Sequence, residues 1–290
     1  MTDSILCGLI GTGIGASLTP PMHEAEGARQ GMRYVYKIVD LDVLGLAVAD
    51  LPRLLRSAHD LGFRGLNITH PCKQAVIEHL DDLSPEASRL GAVNTVLFDG
   101  GRAIGHNTDW SGFGRNFDRG LGGVALDRVV QLGAGGAGAA VAYAVLTRGV
   151  REFTVVDADL ARATALRDKL TVLFPGAAVG SATPDELPRL LAAADGLVHA
   201  TPVGMATHPG TAFDPALLRP DLWVAEVVYR PIETELVVRA RALGAPTLTG
   251  AGMAVFQAVD AFRIFTGVEP DAERMLAHMT ALIEAEKVAV

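Results

Sequence analysis

Residues 129–146 read VVQLGAGGAGAAVAYAVL, and no other stretch narrows the fold as far. An apolar run, VVQL, meets closely spaced glycines at 133, 135, 136 and 138, and an alanine-rich segment follows. GxGxxG alone says little in a chain with 32 glycines. The order strand, glycine turn, helix is specific. Gly133 permits the tight turn, Gly135 lets the backbone approach a pyrophosphate, and Gly138 lets the helix pack closely. Gly136 and Ala137 then open a helix whose N-terminal N–H groups suit phosphate. A membrane span over the same residues is disfavoured by the glycines.

The following segment, EFTVVDAD (152–159), predicts the next strand, and Asp157 ends it, 24 residues after Gly133. A carboxylate there accepts hydrogen bonds from ribose hydroxyls and repels a 2′-phosphate. Asp157, Ala158, Asp159, Leu160 and Ala161 include no cation, so NAD is favoured over NADP. GLVHATP (196–202), LWVAEVVY (222–229) and PTLTG (246–250) predict later strands of the same sheet, with helices over 161–173 and 234–244.

The first half repeats the alternation. ILCGLIG (5–11), YVYKIVDL (34–41), GLNIT (65–69) and AVNTVLFD (92–99) predict strands. Segments 22–31 and 50–62 predict helices, the second with Leu51, Leu54, Leu55, Ala58 and Leu61 at helical spacing. The expected architecture is α/β: an N-terminal, mostly parallel α/β substrate domain over 1–108, completed by C-terminal helices within 251–290, and a Rossmann dinucleotide-binding domain over 109–250. No floppy linker interrupts them, and a helix near 109–123 is expected at the boundary.

Length and composition agree. The 290 residues are 49% hydrophobic and 20% charged, enough for two cores. A net charge of −8 without basic runs argues against nucleic acid as partner. Two cysteines, Cys7 and Cys72, without CxxC, and no signal-peptide pattern, lead us to expect a reduced, cytoplasmic setting. Cys72 reads as a packed thiol. His23 and His106 have no ligand-spaced partners, so no metal is expected. No membrane partner is expected, and monomer and homodimer both stay open.

A dinucleotide unit in the second half leaves the first to hold the substrate. Polar clusters close its strands: SLTP (17–20), NITHPCK (67–73) and GAVNT (91–95), with GHNTDWSGFG (105–114) after them. Ligands bind at strand C-termini in open α/β sheets. An amide, hydroxyls and an amine gathered there suit a small polyol. A lysine near an apolar cleft has its pKa lowered by desolvation and raised again by a nearby aspartate.

These blocks, with GAGGAG, HATPVGM, EVVYRPIETEL and GMAVFQAVDAF in the same order, resemble the shikimate dehydrogenase family, including its quinate/shikimate branch. The resemblance spans nearly the whole chain. It implies an NAD(P)-linked oxidoreduction between a ring alcohol and its ketone, with a small ring hydroxy acid as substrate. By resemblance, Lys73 and Asp109 are the catalytic pair. Ser17 and Thr19 would bind the substrate carboxylate. Asn67, Thr69, Asn94 and Gln257 would hold ring hydroxyls or the catalytic groups, and Tyr229 would line the same cleft. Asp159, Arg162 and Thr201 join Gly133, Gly135, Gly136, Ala137, Gly138 and Asp157 on the cofactor side, with Val203, Met205, Val227 and Gly250 near the nicotinamide.

The chain departs from the common family pattern at Thr19, where serine is usual, at His70, at Trp110, and at His199, where asparagine is frequent. Asp-Ala-Asp at 157–159 replaces the Asn-Arg-Thr of NADP-dependent members. Together Thr19, His70 and the acidic turn look like the quinate/shikimate branch. An aminoshikimate-type enzyme and a non-catalytic dinucleotide-binding regulator are the alternatives; retention of Lys73 and Asp109 argues against the regulator.

Overall fold

Gly100 and Gly101, both at positive φ (55° and 78°), turn one strand back on the next in the first half of the chain. Two consecutive left-handed residues form the hairpin turn that suits strand twist. The computed structural model describes residues 4–288.

The elements of the first half are β1 (Ser4–Gly11), α1 (Thr19–Arg29), β2 (Arg33–Asp40), α2 (Leu41–Leu44), α3 (Leu51–Asp60), β3 (Gly65–Ile68), β4 (Asp82–Leu83), α4 (Pro85–Leu90), β5 (Thr95–Asp99) and β6 (Arg102–His106). The sheet order is β2-β1-β3-β5-β6-β4. β1 pairs in parallel with β2 and β3, and β4 with β6, while the β5–β6 hairpin makes the two antiparallel contacts. The mostly parallel α/β expectation holds. The strand expected over 92–99 begins at Thr95, and β6 was missed. Of its residues, RAIGH, only Gly105 and His106 fall in a noted polar block, although paired glycines between extended segments signal a hairpin.

The second half contains α5 (Asp109–Gly120), β7 (Arg128–Leu132), α6 (Gly136–Leu146), β8 (Glu152–Val156), α7 (Leu160–Leu173), β9 (Ala178–Ala182), α8 (Leu187–Ala193), β10 (Gly196–His199), β11 (Trp223–Glu226), α9 (Glu235–Ala242) and β12 (Thr247–Leu248). Its order is β12-β11-β10-β7-β8-β9, with every pairing parallel. Counted within this half, the order is 6-5-4-1-2-3, the doubly wound Rossmann arrangement, and the chain reverses direction across the sheet between β7 and β10. Two last helices follow, α10 (Gly250–Thr266) and α11 (Ala272–Val288).

The chain divides into two compact units, Met1–Thr108 with Val255–Val290, and Asp109–Ala254. In the first unit, Phe262 and Phe265 of α10 share a core with Cys7, Leu9, Tyr34 and Tyr36. Arg274 of α11 donates twice, at 2.7 Å each, to the buried carboxylate of Glu26 on α1. Burial alone would raise that carboxyl; Arg274 and the Asp271 N–H hold it below its usual range. In the second unit, Phe113, Phe117, Phe153 and Trp223 fill the space between the sheet and the helices on one face.

Candidate active site

In the first unit the polar residues gather at the sheet edge where β3 and β6 end and the antiparallel β5 begins. Asn67 lies in β3, Thr69 just beyond it, Asn94 just before β5, and Thr108 just after β6. Their side chains form one buried network. Tyr36 Oη donates to Asn67 Oδ1 at 2.6 Å. Asn67 Nδ2 donates to Thr95 Oγ1 (2.9 Å) and to the Asn94 carbonyl (3.2 Å). Thr95 Oγ1 donates to Asn94 Oδ1 at 3.0 Å, and the Thr108 N–H reaches the same oxygen at 2.7 Å. Asn94 Nδ2 donates to Thr108 Oγ1 at 2.9 Å. Both amide hydrogens of Asn67 are thereby spent inside the protein, so Asn67 holds the wall in shape and offers no donor outward. Burial keeps the Tyr36 phenol far above its usual pKa, so it remains a donor.

Lys73 is half-buried, and its carbonyl accepts the Val93 N–H at 2.8 Å, which ties it one residue from Asn94. Asp109 is buried and follows Thr108 directly as the first residue of α5. Thr69 is anchored by its N–H to the Ile10 carbonyl at 2.9 Å, and its methyl fills the space that a Cβ on Gly11 would need. Ser17 and Thr19 stand at the start of α1, where the Thr19 N–H donates to Ser17 Oγ at 3.3 Å. Gln257 lies on α10.

Sequence reading missed Asp40. At the end of β2, its carboxylate accepts from the Gly13, Ile14 and Asp42 N–H groups at 3.1, 2.8 and 3.1 Å. It fixes the loop that carries Ser17. Burial would raise its carboxyl, but these N–H groups hold it below the usual range. The signal was available as an aspartate closing an apolar strand. Thr95 and Thr108 lay inside motifs already noted but had been given no task.

The second unit carries the dinucleotide features. Gly133 has φ +101°, and a Cβ there would lie 2.4 Å from the Ala200 carbonyl oxygen, across the gap between β7 and β10. A Cβ on Gly138 would lie 2.3 Å from the Gly133 carbonyl oxygen. Only glycine fits either place. By contrast, a Cβ on Gly136 would meet nothing within 4 Å, and one on Gly135 only the Arg162 guanidinium, at 3.6 Å. Gly135 is the N-cap of α6, with no side-chain cap and no acidic residue in the first turn, where Ala137 lies. This open space before uncapped N–H groups fits a pyrophosphate. Gln131, also missed, braces the turn: its Nε2 donates at 2.9 Å to the Gly133 and Gly138 carbonyls.

Asp157 follows β8. One carboxylate oxygen accepts the Ala134 N–H (2.8 Å) and the other the Asp159 N–H (3.0 Å). A carboxylate has lone pairs left after two such bonds, so ribose hydroxyls remain within its capacity. Asp159 caps α7, accepting from the Ala161 and Arg162 N–H groups at 2.9 and 3.4 Å. Arg162, one helical turn along, therefore stands over the glycine turn, a cation that the residues immediately after Asp157 do not reveal. Thr201, Val203 and Met205 occupy the loop after β10, while Val227 and Tyr229 follow β11. A Cβ on Gly250 would lie 2.2 Å from the Val227 carbonyl oxygen, which explains the glycine that opens α10.

The remaining singled-out groups are core residues. Cys72 is buried, and burial pushes its thiol up. His23 is enclosed by Tyr34, Tyr36, Phe262 and Phe265, with its pKa lowered to about 3 by burial. Among the described residues, no group of three or more His, Cys, Asp or Glu could hold a metal ion. Among them, too, no helix is long and apolar enough to cross a membrane.

Fold and glycine turn together define a two-unit α/β protein with a Rossmann-type dinucleotide domain. Residues 9–96 match the shikimate dehydrogenase substrate binding domain, and residues 250–280 match the shikimate 5′-dehydrogenase C-terminal domain. A Streptomyces avermitilis protein named shikimate dehydrogenase (NADP(+)) is 62% identical over 280 residues, 97% of this chain and 96% of that protein. A Corynebacterium glutamicum protein named quinate/shikimate dehydrogenase (NAD(+)) is 55% identical over 276 residues, 95% of this chain and 98% of that protein. The solved quinate dehydrogenase from Corynebacterium glutamicum in complex with NAD superimposes at a TM-score of 0.92 with 53% identity, covering 96% of this chain and 99% of that one. The chain belongs to the shikimate dehydrogenase family.

Proposed function

We propose that this chain catalyses the NAD-linked, reversible oxidation of a ring hydroxyl of shikimate to 3-dehydroshikimate, and of quinate to 3-dehydroquinate. The observation that carries the proposal is the braced polar wall at the strand ends of the first unit, in a chain 55% identical to a named quinate/shikimate dehydrogenase. Residues 1–108 with 251–290 form the substrate side, and residues 109–250 the cofactor side. Ser17 and Thr19 bind the substrate carboxylate. Thr69, Asn94, Gln257 and Tyr229 meet the ring, and Asn67 holds the wall rigid behind them. Each donor that meets a ring hydroxyl also discriminates against an analogue lacking it.

The bound nicotinamide supplies the hydride acceptor. Lys73 and Asp109 manage the proton: as the ring carbon loses hydride, the hydroxyl proton passes to this pair, and it returns to the ketone oxygen in reduction. Gly135, Gly136 and Ala137 receive the pyrophosphate, while Asp157 receives the ribose hydroxyls. The carboxylates of Asp157 and Asp159 disfavour a 2′-phosphate and support NAD. Arg162 supports a second reading in which NADP is also used, and the Streptomyces avermitilis relative is named for NADP(+).

Initial rates of reduced-dinucleotide formation, crossing shikimate and quinate with NAD and NADP, test both readings. NAD turnover with both acids is expected. Turnover of shikimate with NADP alone would overturn the cofactor assignment. No turnover in any combination would overturn the dehydrogenase assignment.

A further inference from the structure

Glu226 and His199 are each 1% exposed, one at the end of β11 and the other at the end of β10. A buried carboxylate beside a buried imidazole is costly unless each group is fully bonded. Here the bonds are complete. Glu226 Oε1 accepts the Val228 N–H at 2.9 Å, and Oε2 accepts the Thr234 hydroxyl at 3.0 Å. His199 Nδ1 lies 2.9 and 3.1 Å from the two carboxylate oxygens. A carboxylate only accepts, so Nδ1 carries the hydrogen. On the opposite side of the ring, Nε2 is 2.6 Å from Thr201 Oγ1, which also accepts the Val203 N–H at 3.3 Å. Nε2 and Thr201 Oγ1 share the last hydrogen bond of the relay.

The relay joins two loops. One, after β10, carries Thr201, Val203 and Met205. The other, after β11, carries Val227 and Tyr229 and ends at Thr234, which caps α9. Gly204 folds back over the same group, so that a Cβ on it would lie 3.4 Å from Thr234 and 3.9 Å from Glu226 Oε2.

We propose that His199 and Glu226 form a positioning pair that sets the course of the 201–208 loop and thereby the alignment for hydride transfer. This rests on the dehydrogenase reading, in which that loop borders the nicotinamide. The pair touches no reacting atom. Its effect falls on kcat, because small misplacements of bound groups cost rate steeply.

His199→Asn puts an amide where Nδ1 stood, so Glu226 keeps a donor, but the shorter side chain cannot also reach Thr201. Thr201→Val removes only the hydroxyl at the other end and serves if the first variant fails to fold. Glu226→Gln keeps the shape and the acceptor for Val228. Two readouts are needed on the full chain: amide exchange of 201–208 by mass spectrometry, without substrate, and steady-state kinetics with ring-deuterated shikimate.

For His199→Asn we expect exchange of the loop to rise about tenfold and kcat to fall about tenfold. The deuterium isotope effect on kcat should increase, while the dinucleotide Kd stays within about twofold. Glu226→Gln, made alone, should keep most of both at the wild-type values. Unchanged loop exchange overturns the proposal. So does a loosened loop with unchanged kcat and isotope effect, the result of a merely structural role. If the wild-type protein turns over no ring acid, the dehydrogenase reading fails by itself, and loop exchange alone decides whether the pair positions the loop.

Discussion

His23→Asn should flatten the acid dependence of stability in the first unit. The imidazole is fully buried among four aromatic rings, and among the described residues its one hydrogen-bond contact is Nδ1 to Tyr34 Oη at 3.0 Å. Burial lowers its pKa from 6.5 to about 3. In the unfolded chain the ring takes up a proton near pH 6.5, and in the folded chain only near pH 3. Between those values the unfolded state binds one more proton, so folding stability falls as pH falls, by about 1.4 kcal/mol per pH unit once well below 6.5. From pH 6 to 4.5 that amounts to about 2 kcal/mol from this one residue. Asparagine places an amide at the Nδ1 position, can still bond Tyr34, and does not titrate. Both tryptophans, Trp110 and Trp223, lie in the second unit, so their fluorescence is the wrong probe. Amide exchange of β1 and β2, compared between the two proteins at each pH, reports the first unit, and the intrinsic pH dependence cancels. The variant starts less stable because it leaves a cavity, but the gap should close by about 2 kcal/mol between pH 6 and 4.5. A gap constant with pH would mean that the folded protein admits the proton, and would refute the account of His23 as a ring held neutral.

Two further outcomes bear on the site. Lys73→Ala should lower kcat/KM by about 10²–10⁴-fold while dinucleotide binding, followed by titration, stays unchanged; unaltered turnover would remove Lys73 from proton transfer. Tyr36→Phe takes away the phenol donor to Asn67 Oδ1, in a buried network with no solvent to replace it. Unfolding of the first unit should become easier by about 1–3 kcal/mol, measured as faster exchange in β3 and β5, and no change would show that the network is not anchored there.

Much of the fold was legible because period and punctuation agree with the final structure. Apolar strands and glycine turns repeat along the second half, and the Gly133 and Gly138 positions leave no room for a Cβ. What escaped was set by partners distant in sequence. β6 contains no long apolar run; it exists because Gly100 and Gly101 return it against β5. Asn67 carries the residue type of a ligand donor, but Thr95 and the Asn94 carbonyl claim both its hydrogens. Arg162 entered the cofactor set through the family resemblance, not through its spacing from Asp157. Reading the five residues from Asp157 finds only acids and apolar groups, whereas the first turn of α7 brings Arg162 back over Gly135.

The supporting carboxylates follow a rule that parallel pairing imposes. In register, Gly11 pairs with Asp40, Leu132 with Val156, and His199 with Glu226. Each time, an acid that ends a strand (Asp40, Glu226) or directly follows one (Asp157) stands beside a neighbour whose following loop holds proposed ligand-binding residues. That loop leaves the ladder with backbone N–H groups or side-chain donors that need acceptors. Asp40 takes the Gly13 and Ile14 N–H groups, Asp157 takes the Ala134 N–H, and Glu226 reaches Thr201 through His199. A carboxylate suits the place because it accepts several bonds at once and donates none. The third case differs in interposing an imidazole, which lengthens the reach from strand end to loop and makes the course of that loop depend on two side chains instead of one. An acid at or just past a strand end therefore serves three loops, and only at β10 does a single substitution, at His199, release the loop while leaving the acid with a donor.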